Sequence, residues 1–176
     1  MTTTTEPTSQ PIAELLFQAD AVPMSTDPAT IKSWPAAAEQ LAAAPKYWLS
    51  TSRASGRPHA MPVLAVWVGG ALVVSTRPGT VKGRNLDHGG GCVVTIATET
   101  IDLVVEGDAT RMTDPERRQR AAAAFAAKYD WRFTLRDGRI HDDTLPGSPE
   151  YAFYEITPTR AFGYGADGLT ATRWRF

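Results

Sequence analysis

From Tyr47 onward, apolar residues recur mostly at every second position in short runs separated by glycine-containing turns, which is the period of half-buried strands. The runs predict strands over Tyr47–Ser52, His59–Val68, Ala71–Thr76, Cys92–Ala97, Ile101–Arg111, Tyr151–Thr157, Arg160–Tyr164 and Leu169–Phe176. Ile101, Leu103, Val105 and Ala109 alternate with Asp102, Glu106, Asp108 and Thr110, so that strand has one wet face. His59–Val68 is apolar on both faces and is expected to be central, joined to Ala71–Thr76 by a tight Gly69-Gly70 hairpin.

A 3.6-residue period appears in fewer places. A helix is expected from Ser33, its N-cap, to Pro45, with Trp34, Ala38 and Leu41 on one face and Pro35 in the first turn. A second is expected over Thr80–His88, capped by Thr80 and ended by Gly89. A third should open with a Thr113/Glu116 capping box around Pro115 and run to about Lys128. Ile12, Leu15 and Leu16 fit a short helix over Pro11–Phe17, residues 1 to 10 read as a disordered tail, and residues 130 to 150 as loop. About six short antiparallel strands with few helices predict a mainly β protein, a closed or partly closed barrel. Two parts follow: a flexible tail and docking segment over residues 1–28, and one β domain over 29–176.

The chain's 176 residues suit one core, and 43% hydrophobic with 21% charged residues exclude wholesale disorder. Its 18 basic and 19 acidic side chains give a net charge of -1, without the basic run that nucleic-acid binding needs. Residues 1 to 45 hold one basic and five acidic groups, so the remainder holds 17 against 14 and is mildly cationic at +3. Cys92 is the only cysteine, which excludes an intramolecular disulfide and a multi-cysteine metal site. With neither a secretory signal nor an apolar run of membrane-spanning length in view, a cytoplasmic protein is expected.

The sequence Gly163-Tyr164-Gly165-Ala166-Asp167-Gly168 spells G-x-G-x-x-G, but a strand follows it where a dinucleotide site needs a helix. It is read as a hairpin turn. Ser75-Thr76-Arg77-Pro78-Gly79-Thr80-Val81-Lys82-Gly83-Arg84-Asn85-Leu86 has the parts of a phosphate cradle: strand-end hydroxyls, a glycine turn, a helix start, an ammonium and a guanidinium. The same segment equally reads as a strand, loop and helix with a solvated basic face. Gly56-Arg57-Pro58-His59-Ala60-Met61-Pro62-Val63 sets two prolines at a strand start, which leaves ladder groups free for a ligand or marks an edge. His59 could donate a proton, His88 could serve a helix C-terminus, and His141 sits in a polar segment. No triad, H-E-x-x-H or paired-carboxylate pattern supports hydrolysis. Arg173 and Arg175 alternate with Trp174 and Phe176 on the last strand, a combination suited to a flat anionic ligand or to a subunit interface.

Taken together, Gly56-Arg57-Pro58 with Met61-Pro62-Val63, Ser75-Thr76 with Lys82-Gly83-Arg84-Asn85-Leu86, and Val104-Val105-Glu106-Gly107-Asp108-Ala109 resemble the pyridoxamine 5′-phosphate oxidase-like family, in particular its actinobacterial flavin/deazaflavin oxidoreductase branch. The resemblance spans about Ala36 to Arg175. It implies a six-stranded antiparallel split β-barrel and a homodimer with cofactor sites at its interface. It further implies hydride transfer between a small conjugated substrate and either the deazaflavin coenzyme F-420, the favoured cofactor, or FMN. By matching positions, Ser75, Thr76, Lys82, Arg84 and Asn85 would hold the cofactor's phosphate and ribityl chain, and Met61, Pro62 and Val63 would line its ring. Arg173 and Trp174 would contribute from the second subunit. Gly89-Gly90-Gly91 departs from the family's cationic turn after Asn-Leu. A non-catalytic flavin, haem or tetrapyrrole binding protein is the alternative the same resemblance allows.

Overall fold

Alternation and turn chemistry decide most of the architecture. The computed structural model describes residues 10–16, 25–168 and 171–176. Among them are eleven antiparallel strands and three α-helices: β1 (Ile12–Leu15), α1 (Trp34–Ala43), β2 (Tyr47–Ser52), β3 (Pro58–Val63), β4 (Ala65–Val68), β5 (Ala71–Thr76), α2 (Val81–Asp87), β6 (Gly91–Ala97), β7 (Ile101–Arg111), α3 (Pro115–Tyr129), β8 (Thr134–Arg136), β9 (Arg139–His141), β10 (Glu150–Gly165) and β11 (Ala171–Arg175). The fold is mainly β. Six strands, β2, β3, β5, β6, β7 and β10, have six residues or more and form its frame.

The strands run β1-β11-β10-β7-β6-β2-β3, with β5 added on β10 and β4 on β5. Sixteen-residue β10 makes this branching possible: Ala152–Ile156 pair with β5, whereas Arg160–Tyr164 pair with β11, and β7 runs along its other side. A register shift between Pro158 and Arg160 bends the strand where its partners change, as a bulge does. The curved sheet encloses one core that includes Leu41, Tyr47, Leu49, Leu103, Tyr154 and Trp174. A second cluster, Val66, Val73, Phe125, Ile140 and Phe153 among its members, lies between the sheet and α3.

Several expectations are corrected. Ile12–Leu15 is a strand, not part of a helix: its partner is β11, and Glu14 reaches Arg173 at 2.6 Å and Arg175 at 3.1 Å. A four-residue segment is decided by the edge it meets, not by its own period. His59–Val68 breaks at Leu64 into β3 and β4, and neither is central, since β3 pairs with β2 and β4 with β5 alone. The cap of α3 is Asp114, whose carboxylate accepts from the Arg117 amide at 2.7 Å, in place of Thr113. Residues 130–150 contain the β8–β9 hairpin, turning at Asp137 and Gly138 with φ of 52° and 70°. The expected strands at Tyr151–Thr157 and Arg160–Tyr164 are one strand, β10; of the last expected strand, Ala171–Arg175 is β11, and its first two residues, Leu169 and Thr170, lie outside the described residues. The expected tail over residues 1 to 10 lies, but for Gln10, outside the described residues.

Candidate functional site

Strand β5 ends in two hydroxyls and the chain turns through Arg77–Gly79 into α2, so one short segment sets the position of every residue expected in the cradle. Thr80 caps the helix: its hydroxyl accepts from the Gly83 amide at 3.1 Å and lies 3.0 Å from the Thr76 hydroxyl. That commitment, and a helix of only seven residues, leave little for a helix-end anion site, so the side chains must carry the chemistry. Gly83 is required by close approach, because a Cβ there would stand 2.6 Å from the Arg77 carbonyl oxygen.

Successive strand residues face opposite sides, and this separates Ser75 from Thr76. Thr76 shares the barrel face with Val74 and Leu72, whereas Ser75 lies opposite Phe153 on the face toward α3. The Ser75 hydroxyl is buried there without a hydrogen-bond partner among the described residues. Asn85 donates to the Thr51 hydroxyl at 2.9 Å, which fastens α2 to β2, and Thr51 reaches back toward the His59 carbonyl of β3. Lys82 is half-buried and has no hydrogen bond or ion pair with any described residue; burial lowers its pKa from the ordinary lysine value. An ammonium near low-dielectric surface without a counter-ion among the described residues makes Lys82 a candidate position for an anion.

The strand expected to line a ring, β3, lies on the sheet edge and packs against α2. Met61 is 40% exposed and Pro62 is exposed, while Val63 turns into the core. Arg173 and Trp174 are not brought to this group. Trp174 is fully buried, donates its indole N–H to the Lys32 carbonyl at 3.0 Å and meets Trp34 edge-on at 5.6 Å. Arg173 pairs with Glu14.

A cleft of about 290 Å³ opens between the β2–β3 hairpin and α2, lined by Ser52, Arg53, Ser55, Val81, Arg84, Asn85 and His88 among others. Arg53, Ser52 and Ser55 were missed by sequence reasoning, since only the folded hairpin sets them against the helix. A larger cavity of about 590 Å³ lies at the opposite end of the barrel, between α1 and the β6–β7 and β10–β11 turns. It contains none of the expected residues and mixes Lys32 with Glu99 and Asp167, so the cationic end is the stronger candidate. Among the described residues no group of three His, Cys, Asp or Glu could hold a metal, and no helix is long and apolar enough to cross a membrane.

The antiparallel sheet curves round one core without closing, with a short helix packed against β7, β2 and β3. The chain belongs to the pyridoxamine 5′-phosphate oxidase family, whose pattern its residues 33–164 match. No curated protein matches the sequence. Among solved structures, a conserved hypothetical protein from Mycobacterium tuberculosis is similar at TM-score 0.64 and 17% identity, covering 82% of this chain and 92% of that one. A FAD-binding protein from Mesorhizobium loti is similar at TM-score 0.55 and 14% identity, covering 82% and 96%. A heme binding protein from Mycobacterium smegmatis is similar at TM-score 0.54 and 18% identity, covering 70% and 50%. At these identities the shared property is the fold.

Proposed function

We propose that the protein is an oxidoreductase that binds a flavin-type cofactor, the deazaflavin coenzyme F-420 or FMN, and transfers a hydride between it and a small conjugated substrate. The observation that carries this reading is Lys82, a half-buried ammonium without a counter-ion among the described residues, on a helix packed against β3, the strand that exposes Met61 and Pro62. A cation beside a flat apolar edge fits a ligand with an anionic chain and a conjugated ring. The FAD-binding relative supports a flavin-type ligand on this fold.

The cofactor would supply the redox chemistry, so the protein needs no nucleophile, in agreement with the lack of a triad pattern. Lys82 would neutralise the phosphate, and Arg84 would add positive charge from another side of the same helix. Asn85, bonded to Thr51, would fix the helix beside the ribityl chain, and the exposed Met61 would lay one wall against the ring and exclude water from it, whereas Pro62 faces the other side of β3 with Trp48. The outward face of β2 and β3 exposes Trp48, 48% accessible, directly opposite Pro62. A second copy covering that face would complete the site, giving a homodimer with two equivalent clefts.

The test is a fluorescence titration of the wild type and of Lys82→Ala with each cofactor. Wild-type binding that weakens about tenfold or more in the variant, the size of a lost charge-assisted bond, supports the reading. Equal affinity in the two proteins places the phosphate elsewhere. Faster reoxidation of the bound, reduced cofactor when quinones or unsaturated ketones are added separates an enzyme from a carrier.

A further inference from the structure

Lys82 and Arg84 are two residues apart on a helix, so they project about 200° apart around its axis and face different sides. Val81, Arg84, Asn85 and His88 follow the i, i+3, i+4, i+7 spacing of one face, and all four line the cleft beneath the β2–β3 hairpin, whereas Lys82 does not. The expected single cradle is therefore two positions, divided by the Asn85–Thr51 hydrogen bond.

The geometry points to the second position, the cleft of Arg53, Arg84 and His88, as a binding site for an anionic group that extends beyond the cofactor's first phosphate. This rests on the flavin-type reading. The Arg53 side chain has no partner among the described residues. Arg84 commits one Nη1–H to the Gly79 carbonyl at 2.6 Å, which aims the guanidinium and leaves its other donors free. His88 uses Nδ1 on the Arg84 carbonyl at 2.6 Å, leaving Nε2. Ser52 and Ser55 add hydroxyls, and no carboxylate lines the cleft. Asp87, the acid next in the chain, is held away by Tyr154 and Arg111.

Pockets that enclose whole ligands run to roughly 300–1,000 Å³. A cleft of about 290 Å³ stands at the small end of that range. The ligand chemistry it fits is a second phosphate, as in a dinucleotide, or the carboxylates of an acidic tail.

Titrations of wild type and Arg53→Ala with FMN, FAD and the deazaflavin coenzyme test this. The expected result is a loss of about tenfold for whichever extended cofactor binds, with FMN affinity unchanged within about twofold, and recovery in part by Arg53→Lys. A selective loss on FAD assigns a phosphate; a selective loss on the deazaflavin coenzyme assigns tail carboxylates. Equal loss on FMN, or no loss on any extended cofactor, overturns the proposal. A second measurement does not depend on flavin: the His88 ring NMR signal, assigned by its absence in His88→Gln, should move on addition of inorganic pyrophosphate and move less in Arg53→Ala. If no cofactor binds but His88 responds in this way, the flavin reading fails and the anion cleft stands. A His88 signal indifferent to pyrophosphate, with no cofactor bound, overturns both.

Discussion

The Tyr154 phenol donates a hydrogen bond to the Asp87 carboxylate at 2.7 Å, joining the centre of the longest strand to the last turn of the cationic helix. Tyr154 is fully buried, and burial first, then the Asp87 bond and charge, push its pKa far above the ordinary tyrosine value. Arg111 stands 3.6 Å from the same carboxylate. The seven-residue helix is thus pinned at its C-terminal end by this acid and on its side by Asn85.

Tyr154→Phe removes the donor while preserving the ring's packing. It should cost about 1.5–3 kcal/mol, the usual range for a hydrogen bond to a charged group, and should weaken cofactor binding by loosening α2. Urea denaturation alongside a cofactor titration measures both. Unchanged affinity in a destabilised protein would mean that the bond serves the fold alone.

Lys128 yields a pH dependence. Its ammonium donates to the Ala42 carbonyl at 2.7 Å, the Tyr47 hydroxyl at 2.8 Å and the Ala65 carbonyl at 3.3 Å, and lies over the Tyr47 and Tyr129 rings. Burial lowers its pKa to about 8. The unfolded chain, near 10.4, then holds more protons above that pH, so this group makes stability rise with pH from about 8 upward. Tyr47, Tyr154 and Cys92 act in the opposite sense, because burial first raises each of them, Cys92 to about 12. Their stabilisation is complete below their unfolded values of about 8.5–10 and declines above. Chemical denaturation between pH 7.5 and 8.5 should show a rising stability that flattens in Lys128→Met; a flat wild-type profile contradicts the assignment.

Two glycines separate close packing from conformational freedom. At Gly163 a Cβ would lie 2.7 Å from the buried Trp174 ring and 2.9 Å from Ile101, whereas at Gly79 nothing lies within 4 Å. Gly163→Ala should lose about 1–3 kcal/mol by overpacking. Gly79→Ala should be nearly neutral, and comparable losses at both positions in thermal melts would refute this packing account.

The exposed Trp48 tests assembly. Placing a charge on an apolar interface should dissociate it, so Trp48→Glu is expected to run as a monomer in size-exclusion chromatography with light scattering, where the wild type runs as a dimer. A monomeric wild type would remove the proposed second subunit from the site.

Where an apolar run was bounded by turn residues its limits were legible in the sequence: β2, β5 and β7 begin and end where the runs do. Ile12–Leu15 was not legible, because four residues satisfy a helical and an extended period alike and only the distant β11 decides between them. Pro58 and Pro62, read beside the apolar run, were a usable sign that β3 is an edge. That Lys82, Arg84 and Asn85 share one short helix capped by Thr80 was legible from residue type and spacing. The opposite orientation of Ser75 and Thr76 followed from strand parity and was available too, whereas Arg53 needed the hairpin to fold back over α2. Trp174 stands apart for a different reason: an aromatic beside two arginines looks like a ligand surface until α1 covers it.

Strand β10 also sets an order of events during synthesis. Its partners include β5, about eighty residues earlier in the chain, and both β7 and β9. A nascent chain that has emerged only as far as Pro149 can form local hairpins but has no strand to join β5 to β7. Pairing across such separations makes folding slow, on the order of milliseconds to seconds. The valine-rich edges of β5 and β7 therefore stay open on the ribosome until β10 is made, and aggregation competes with folding chiefly in that interval.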